Sequence, residues 1–320
     1  MKVSVIVPMY NEARHIVRTL ESVRRAGEFA GVACELLVMD NGSGDDGPAL
    51  AAGCGARVDV LPGLSLGALR NRGAQMASGE WLAFLDADIE VPRDWFALWR
   101  EIDAQGETDV LALACKTPPS APWFARVWQQ RKHSPAPRLQ PRDWLTTQNL
   151  CMRRDWFARV GGFNESLITG EDKDFTLRLH QAGVRLKLLA GSFVWHWGYE
   201  GSWREWLGKE FWRQGGALQL LDAHFASLRR WRFPLLCLGT AFCSLAAPPA
   251  ALTGKPAWAG LLLLPGALIA LGLALRQSLA YRAPLFTLQL WILHWLRLHV
   301  GAAALLAALC KLRIQRPERT

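Results

Sequence analysis

Residues 233–310 carry almost no charge, and this stretch limits the possible folds of the chain more than any other feature. It contains three apolar segments, at about 233–252, 257–275 and 285–310. The first two are long enough to cross a bilayer, since a spanning helix needs about 20 apolar residues, and lipid-embedded helices tolerate the prolines that interrupt them. Buried core helices are the alternative, but three such segments exceed what the rest of the chain could cover. The sequence therefore predicts a membrane region at 233–310.

The third apolar segment differs from the other two because it contains His294, Arg297 and His299. A central arginine in a spanning helix costs roughly 2.5–3.5 kcal/mol on insertion scales. If the N-terminal region is cytoplasmic, a third full span would also place the basic tail at 311–320 outside, against the positive-inside tendency. We therefore expect 285–310 to lie in the membrane interface, or to enter the membrane and return.

The chain has a formal net charge of +9, which would suit nucleic acid, anionic lipid or a phosphorylated substrate. Nucleic acid is not expected as a partner, because the sequence has no recognition-helix pattern, zinc-finger spacing or aromatic-basic RNA-binding strand. Arginines beside the apolar segments, as at 229–232, favour membrane lipids instead. We expect residues 201–232, which are rich in tryptophan, to form amphipathic helices at the membrane interface.

The seven cysteines are scattered and include no Cys-x-x-Cys pair, so the sequence supports neither a disulfide framework nor a structural zinc site. No signal peptide precedes the first predicted strand. Both observations favour a reducing compartment for residues 1–230. We therefore expect a protein of the inner, cytoplasmic membrane, with its soluble domain facing the cytoplasm.

Short apolar runs alternate with helical patterns in the first part of the chain, whereas 118–141 reads as a long irregular excursion. The predicted strands are 3–7, 35–39, 58–61 and 81–85, and the helices between them include 12–25 and 66–77. This order predicts an α/β fold with a doubly wound, mostly parallel sheet flanked by helices. Ligands bind such sheets at the carboxyl ends of the strands, where polar clusters follow three of the predicted strands.

Asp86 and Asp88 follow the predicted strand 81–85, so both carboxylates can turn toward one cleft. Carboxylates suit a hard cation such as Mg²⁺ or Mn²⁺, which can also bind diphosphate oxygens. The cation would then stabilise a leaving nucleotide diphosphate. A solvated turn is the alternative for an isolated Asp-x-Asp, but its position at the end of a buried strand favours function.

Two other loops and one helix supply candidate nucleotide contacts. Tyr10 could stack on a base and Glu12 could bond its edge, while an acidic side chain at 40 could accept hydrogen bonds from a base or ribose. Asp40 and Asn41 could instead form an Asx turn. Arg70 could meet phosphates, together with Arg72, or both could lie on a solvated helix face.

Glu171 and Asp172 begin a predicted helix, where carboxylates commonly act only as caps or dipole partners. The functional interpretation is a general base, because an acceptor hydroxyl must lose its proton as it attacks a sugar carbon. His196 lies between two tryptophans after a strand. It could be a third metal ligand, a diphosphate contact or a structural histidine.

Taken together, these residues resemble family 2 glycosyltransferases of the GT-A fold, and in particular their membrane-anchored, bacterial-type members. The resemblance covers about residues 1–200 and depends on seven short motifs in the right order. They are 4–12 (Ser-Val-Ile-Val-Pro-Met-Tyr-Asn-Glu), 40–43 (Asp-Asn-Gly-Ser), 70–73 (Arg-Asn-Arg-Gly), 78–80 (Ser-Gly-Glu), 84–88 (Phe-Leu-Asp-Ala-Asp), 161–165 (Gly-Gly-Phe-Asn-Glu) and 171–172 (Glu-Asp).

The resemblance implies an inverting reaction that uses a nucleotide sugar, usually UDP- or GDP-linked, and a divalent metal. It implies that Asp88 is the main metal ligand with Asp86 nearby, and that Asp172 is the base with Glu171 supporting the acceptor site. The nucleoside would be held by a set of residues from the first two loops: Pro8, Tyr10, Glu12 and Asp40. Residues 147–149 fall where the family often has a Gly-x-Asn segment that lines the acceptor pocket, but the glycine is missing.

Processive members of the family carry a Gln-x-x-Arg-Trp motif near the membrane, which neither 211–215 nor 227–231 matches. We therefore expect transfer of one sugar to a lipid-linked or membrane-proximal acceptor hydroxyl, as in cell-envelope polysaccharide or glycolipid synthesis. Alternatives are a polyprenyl-phosphate sugar synthase, a nucleotidyltransferase and a non-catalytic membrane scaffold. The polyprenyl-phosphate alternative requires cations near the acceptor, and the candidates are Arg126, Arg131, Lys132 and Arg213.

Overall fold

The computed structural model describes residues 2–131, 138–215, 231–254 and 256–310. The chain divides into two compact units. The first comprises Met1–Pro118 and Pro135–Tyr199, and the second comprises Pro119–Ser134 and Glu200–Thr320. The described residues 119–131 therefore group with the second unit, and the domain boundary expected at 200 stays a prediction.

One mixed sheet forms the centre of the first unit, and nine strands contribute to it among the described residues. They are β1 (Lys2–Met9), β2 (Ala33–Asp40), β3 (Arg57–Val60), β4 (Trp81–Leu85), β5 (Ile89–Glu90), β6 (Val110–Lys116), β7 (Leu139–Pro141), β8 (Asn149–Arg153) and β9 (Leu186–His196). The order is β3-β2-β1-β4-β8-β6-β9-β5, with β7 also on β9. The first four strands of this order are parallel, whereas β8 is antiparallel to both neighbours. The loops after β1, β2 and β4 therefore meet at one edge.

Eleven α-helices lie within the described residues. They are α1 (Ile16–Ala30), α2 (Gly47–Gly53), α3 (Leu66–Met76), α4 (Trp95–Ala104), α5 (Trp123–Gln130), α6 (Arg154–Arg159), α7 (Glu171–Gln181), α8 (Trp203–Gly215), α9 (Arg232–Leu252), α10 (Pro256–Ser278) and α11 (Pro284–Leu309). Helices α5 and α8–α11 fall in the second unit and the others in the first.

Both faces of the sheet are covered, because successive side chains of a strand point to opposite sides. Val3 and Val5 of β1 belong to the apolar cluster that includes α1 and α4. Ile6 of the same strand belongs to the cluster that includes α3 and α7. Helix α3 approaches β1 closely at Gly73, where a Cβ atom would lie 2.4 Å from a methyl group of Ile6. The predicted α/β class is confirmed, and this close packing fixes α3 beside the strand ends.

The structure differs from the sequence prediction in three places. The segment expected to be irregular at 118–141 contains α5 and β7. Strand β6 and helix α4 were not predicted, and β8 makes the sheet mixed because it runs against β4. The part of the predicted amphipathic helix beyond 215, the arginines at 229–230, Lys132 and the basic tail at 311–320 lie outside the described residues.

The second unit contains, among the described residues, three helices that are long and apolar enough to cross a membrane: α9, α10 extended by a short 3₁₀ turn to Tyr281, and α11. Cys237, Ala270 and Leu298 come from these three helices and share one apolar cluster. Helix α11 is continuous, so it offers no turn at which the chain could enter a membrane and return. This differs from the re-entrant form expected for 285–310; the interfacial form stays a prediction.

The polar side chains of α11 have partners within the second unit. The ring nitrogen Nε2 of His294 lies 3.0 Å from Oε1 of Gln277, and Nε2 of His299 lies 2.8 Å from the hydroxyl of Ser244. Arg297 pairs with a carboxylate of α8 at 3.3 Å. Because polar groups in an apolar helix are tolerated when they face protein partners, the composition of α11 is compatible with a helix bundle.

Candidate active site

Arg70 joins three elements of the first unit. Its Nη1 donates to Oε1 of Glu171 at 2.7 Å, and its Nη2 donates to Oδ1 of Asp86 at 3.1 Å. The guanidinium is buried, so these charge-assisted hydrogen bonds are strong. They connect α3 with the loop after β4 and with the first turn of α7. Each terminal nitrogen of Arg70 therefore has a carboxylate partner, and a contact of Arg70 with phosphates stays a prediction.

Asp172 is a half-buried carboxylate beside the same cluster. Burial and the neighbouring charge of Glu171 raise the pKa of Asp172 to about 7, while Arg70 opposes the shift and Asp86 adds to it. The backbone N–H of Lys173 donates to its Oδ1 at 2.7 Å. Three carboxylates are therefore electrostatically linked around one guanidinium, and one of them can exchange a proton near neutral pH.

Asp88 and His196 are brought together by the short ladder between β5 and β9. Ile89 pairs with His196 in this ladder, and the backbone N–H of Trp197 donates to the carbonyl of Asp88 at 2.9 Å. Nε2 of His196 lies 3.4 Å from Oδ2 of Asp88, and both side chains are nearly buried. The two side chains therefore lie next to each other, and their role as metal ligands stays a prediction.

The predicted three-ligand metal site is not assembled. Within the described residues, no group of three or more His, Cys, Asp or Glu side chains is arranged to hold a metal ion. The reason is that Asp86 is held by Arg70, whereas Asp88 faces His196. The carboxylate and imidazole of the latter pair are oxygen and nitrogen donors that suit Mn²⁺. They fit a cation whose other ligands come from a bound diphosphate and water.

The two segments that carry Asp88 and His196 are stabilised by contacts of residues that the sequence did not single out. The indole Nε1 of Trp197 donates to Oε2 of Glu90 at 2.7 Å, and the guanidinium of Arg18 lies 4.0 Å from the centre of the Trp197 ring. A two-residue strand gives no periodic signal, so the sequence could not place Glu90 here.

The first two loops hold each other in place. The buried carboxylate of Asp40 accepts hydrogen bonds from the backbone N–H groups of Gly42 at 3.0 Å and Ser43 at 2.9 Å, which is the Asx-type turn considered above. Asn11 has a left-handed backbone with φ 53°, and its Oδ1 accepts from the N–H of Gly44 at 2.8 Å. Asp40 therefore shapes the loop; a contact with a nucleoside stays a prediction.

The other candidate nucleoside contacts differ in exposure. The amide of Asn41 both accepts from the N–H of Leu64 at 3.1 Å and donates to its carbonyl at 3.2 Å, so this side chain fixes the next loop. Pro8 and Glu12 are buried, whereas Tyr10 is 50% exposed. Tyr10 is therefore the member of the set that has a ring free to stack on a flat ligand.

Asn71 positions the loop that precedes α7. Its Oδ1 accepts from the N–H of Phe163 at 2.8 Å, and its Nδ2 donates to the carbonyl of Phe163 at 2.9 Å and to Oε1 of Glu165 at 2.7 Å. Gly162 has φ +71°, and a Cβ there would lie 2.7 Å from Oδ1 of Asn71. Asn71 is part of the motif at 70–73, but the sequence alone did not show that its partners are in the loop before α7.

The amide of Asn149 is buried and is used by the sheet. Its Oδ1 accepts from the N–H of Leu113 at 2.6 Å, and its Nδ2 donates to the carbonyl of the same residue at 3.1 Å. Asn149 thereby continues the pairing of β8 with β6 by one position. A role of residues 147–149 in lining the acceptor pocket stays a prediction.

The chain is similar to known proteins both in sequence and in fold. Residues 4–161 match the family model described as Glycosyl transferase family 2. Glycosyltransferase AglE of Haloferax volcanii is 33% identical over 198 residues, which is 58% of this chain and 63% of that protein. The pre-mycofactocin glycosyltransferase of Mycobacterium tuberculosis is 25% identical over 234 residues, or 69% of this chain and 48% of that protein. The chain thus spans 63% and 48% of the lengths of these two curated relatives.

Among solved structures, the mannosyltransferase PcManGT from Pyrobaculum calidifontis, in complex with GDP-Man and Mn²⁺, aligns with a TM-score of 0.59. The identity is 18%, and the alignment covers 95% of this chain and 86% of that one. This likeness is one of fold. Residues 4–161 therefore carry a glycosyl transferase family 2 domain, and their fold is of the GT-A type.

Proposed function

We propose that the protein transfers a single sugar, with inversion, from a nucleotide-diphosphate sugar to a hydroxyl of a lipid-linked or membrane-proximal acceptor. The observation that carries this proposal is the cluster of Asp86, Glu171 and Asp172 around buried Arg70, within a family 2 domain. The fold neighbour PcManGT was solved in complex with GDP-Man and Mn²⁺, which supports a nucleotide-sugar donor and a divalent metal, and we propose that the donor is UDP- or GDP-linked.

Asp172 acts as the general base. Its pKa of about 7 suits a group that must be ionised to accept a proton and yet be basic enough to take it. As the acceptor oxygen attacks the anomeric carbon, its proton passes to Asp172 and the new C–O bond forms. The bond between that carbon and the diphosphate oxygen breaks, and its electron pair leaves with the nucleoside diphosphate. Glu171 supports the acceptor site from the same turn.

Asp88 and His196 would hold Mg²⁺ or Mn²⁺ together with the diphosphate of the donor, and Asp86 would contribute to the same region. Such a cation neutralises the charge that develops on the leaving diphosphate. Tyr10 would stack on the base, and the rest of the nucleoside site would be formed by Pro8, Glu12, Asp40 and Asn41. Hydrogen bonds within and between these loops give the residues a fixed arrangement before the donor binds.

The second unit would keep the domain at the membrane. Its three apolar helices suit membrane association, and we propose the cytoplasmic membrane with the family 2 domain on the cytoplasmic side. This arrangement would bring the domain to acceptors that are anchored in or close to the bilayer. A non-catalytic scaffold would have no need for an acid with a pKa near neutrality beside a buried Arg–carboxylate cluster.

The test uses the full chain in detergent micelles, with a panel of UDP- and GDP-linked sugars and Mn²⁺ or Mg²⁺. We expect metal-dependent release of nucleoside diphosphate for one donor class. Asp88→Ala should abolish it, and Asp172→Asn should keep donor binding but lower transfer by about 10²–10⁴-fold. Asp155→Ala, at an exposed carboxylate of α6, is the control and should be unchanged.

Three results would each contradict part of the proposal. Release of pyrophosphate in place of nucleoside diphosphate would indicate a nucleotidyltransferase. Full metal-dependent turnover by Asp88→Ala would remove the metal assignment, and full turnover by Asp172→Asn would remove the base.

A further inference from the structure

One face of helix α1 supports the turn that carries Asp88. The hydroxyl of Thr19 donates to the carbonyl of Ala87 at 2.7 Å, and the hydroxyl of Ser22 accepts from the backbone N–H of Val91 at 3.0 Å. Ala87 directly precedes Asp88, and Val91 follows it by three positions. Helix α1 therefore holds the backbone of this turn on both sides of Asp88.

Both hydroxyls are buried, and both are fully used. Thr19 is 1% exposed and Ser22 is 0% exposed. The hydroxyl of Ser22 also donates to the carbonyl of Thr19 at 2.7 Å. A buried hydroxyl costs free energy unless it is hydrogen-bonded, and the other buried side chains of α1 include the apolar Ile16, Leu20 and Val23. Apolar side chains would serve the packing of α1 as well, so it is the turn that uses the two hydroxyls.

The turn needs this support because its own pairing is short. Strand β5 has two residues, which pair with the edge of the sheet at β9. The carbonyl of Asp88 adds one hydrogen bond, which it accepts from the backbone N–H of Trp197 at 2.9 Å. So short a ladder orders its residues weakly, because few hydrogen bonds offset the loss of backbone entropy. The contacts with α1 therefore supply much of the restraint on this turn.

The residue that follows His196 contacts α1 as well. The guanidinium carbon of Arg18 lies 4.0 Å from the centre of the Trp197 ring, and Nε of Arg18 lies 4.0 Å from Oε2 of Glu90. Glu90 in turn accepts the hydrogen bond from the indole of Trp197. Both members of the Asp88–His196 pair are therefore held beside the same helix.

Helix α1 also begins in the first loop of the candidate nucleoside site. The backbone N–H groups of His15 and Ile16 donate to the carbonyl of Glu12 at 2.9 and 3.0 Å. One helix thus joins the loop expected to hold the nucleoside with the turn expected to hold the cation. A nucleotide-diphosphate sugar must reach both, so α1 sets the spacing between the two parts of the donor site.

We propose that Thr19 and Ser22 are positioning residues of the cation site. They fix the backbone around Asp88 and so hold its carboxylate next to the imidazole of His196 before a cation binds, which lowers the cost of ordering the site. Neither hydroxyl touches the cation or the donor. This inference rests on the metal assignment of the proposed function, and it predicts a weaker cation site with an unchanged nucleoside site.

The affinity of the full chain for Mn²⁺ is measured in detergent micelles by water proton relaxation. UDP or GDP is present but no sugar donor, so the readout does not depend on turnover. Thr19→Val keeps the shape of the side chain but removes its hydroxyl, and Ser22→Ala removes the second hydroxyl. Each should weaken Mn²⁺ binding by about tenfold or more, as for other groups that orient a metal ligand. Thr19→Ser keeps the hydroxyl and should retain most of the affinity.

Thr108→Val is the matched control. The buried hydroxyl of Thr108 donates to the carbonyls of Val110 at 2.9 Å and Arg185 at 3.0 Å, and it lies before β6, at the opposite edge of the same sheet. This variant should lose stability in urea unfolding as Thr19→Val does, but keep its affinity for Mn²⁺. Binding of UDP or GDP without metal should be unchanged in every variant. At saturating Mn²⁺, transfer by Thr19→Val should return to near the wild-type rate.

Asp88→Ala separates the two levels of the argument. If it abolishes Mn²⁺ binding while Thr19→Val and Ser22→Ala bind like the wild type, the positioning role is overturned and the proposed function stands. An equal loss of affinity in Thr108→Val would overturn the positioning role in the same way. If Asp88→Ala binds Mn²⁺ as tightly as the wild type, or the wild type binds none, the metal assignment is wrong and the positioning role falls with it. Should Thr19→Val fail to fold, Ser22→Ala carries the test.

Discussion

Replacing Arg70 with glutamine should destabilise the first unit by about 3–5 kcal/mol, the usual cost of removing one partner from a buried ion pair. The side chain of Glu171 is only 7% exposed and would keep an uncompensated charge. The side chain of Asp86 is 31% exposed, so water can replace part of its lost partner. We therefore expect a value near the lower end, about 3 kcal/mol.

The neighbouring helix position offers a control. Arg72 lies on the same helix, its side chain is 51% exposed, and its Nε lies 3.7 Å from Oδ2 of Asp59. Arg72→Gln should change stability by no more than about 0.5 kcal/mol, as for other surface pairs. Urea unfolding of the full chain in detergent micelles, followed by near-ultraviolet circular dichroism, measures both variants under identical conditions.

A double variant separates the charge from the packing of Arg70. Glu171→Gln removes the carboxylate that Arg70→Gln leaves unpaired, so the double variant should be more stable than Arg70→Gln alone, with a clear coupling energy. The reasoning is refuted if Arg70→Gln is no less stable than Arg72→Gln. It is also refuted if Glu171→Gln destabilises the Arg70→Gln protein further.

Three further predictions concern the site. The rate of transfer should rise with pH through about 7, because Asp172 must be ionised to act as a base. Glu171→Gln should move this rise to lower pH, because the charge of Glu171 raises the pKa of Asp172. The dependence of kcat/KM on pH measures both effects. His196→Ala should raise the Mn²⁺ concentration for half-maximal transfer by about tenfold or more, as measured by metal titration. Gly162→Ala should cost about 1–3 kcal/mol more than Gly161→Ala in urea unfolding, because both have positive φ but only a Cβ at 162 meets neighbouring atoms.

Each of these predictions has a contradicting result. A pH profile that Glu171→Gln leaves in place would mean that another group limits the rate. An unchanged metal requirement in His196→Ala would leave Asp88 as the protein ligand without the imidazole. Equal stability of the two alanine variants would mean that the loop shifts away from Asn71 at no cost.

The pattern of apolar residues was sufficient to predict those parts of the fold that depend on short segments. The apolar run at 81–85 predicted β4 with its bounds, and the position of Asp86 and Asp88 after it followed directly. Arg70 could not be assigned in this way, because its partner Glu171 lies 101 positions away and a helix-face arginine looks the same in either role. Helix α5 was hidden by the prolines around it, and β8 is antiparallel through a connection that leaves no periodic signal.

The packing of α11 concerns one reason against a third membrane crossing, which is the insertion cost of the central arginine. The insertion cost of a central arginine applies to a side chain that faces lipid, whereas Arg297 is paired with Glu210 and stacked on Phe233. The helix is also continuous and shares an apolar cluster with α9 and α10, where a Cβ at Gly301 would lie 2.7 Å from Sγ of Cys237. Small residues at such contacts are typical of helices that pack within a membrane.

This packing favours a third crossing, and an odd number of crossings places the two ends of the chain on opposite sides. Topology reporters fused to each end of the chain should therefore give opposite signals. The same signal from both ends would instead support the interfacial arrangement of 285–310, for which the positive-inside tendency would then be the remaining reason.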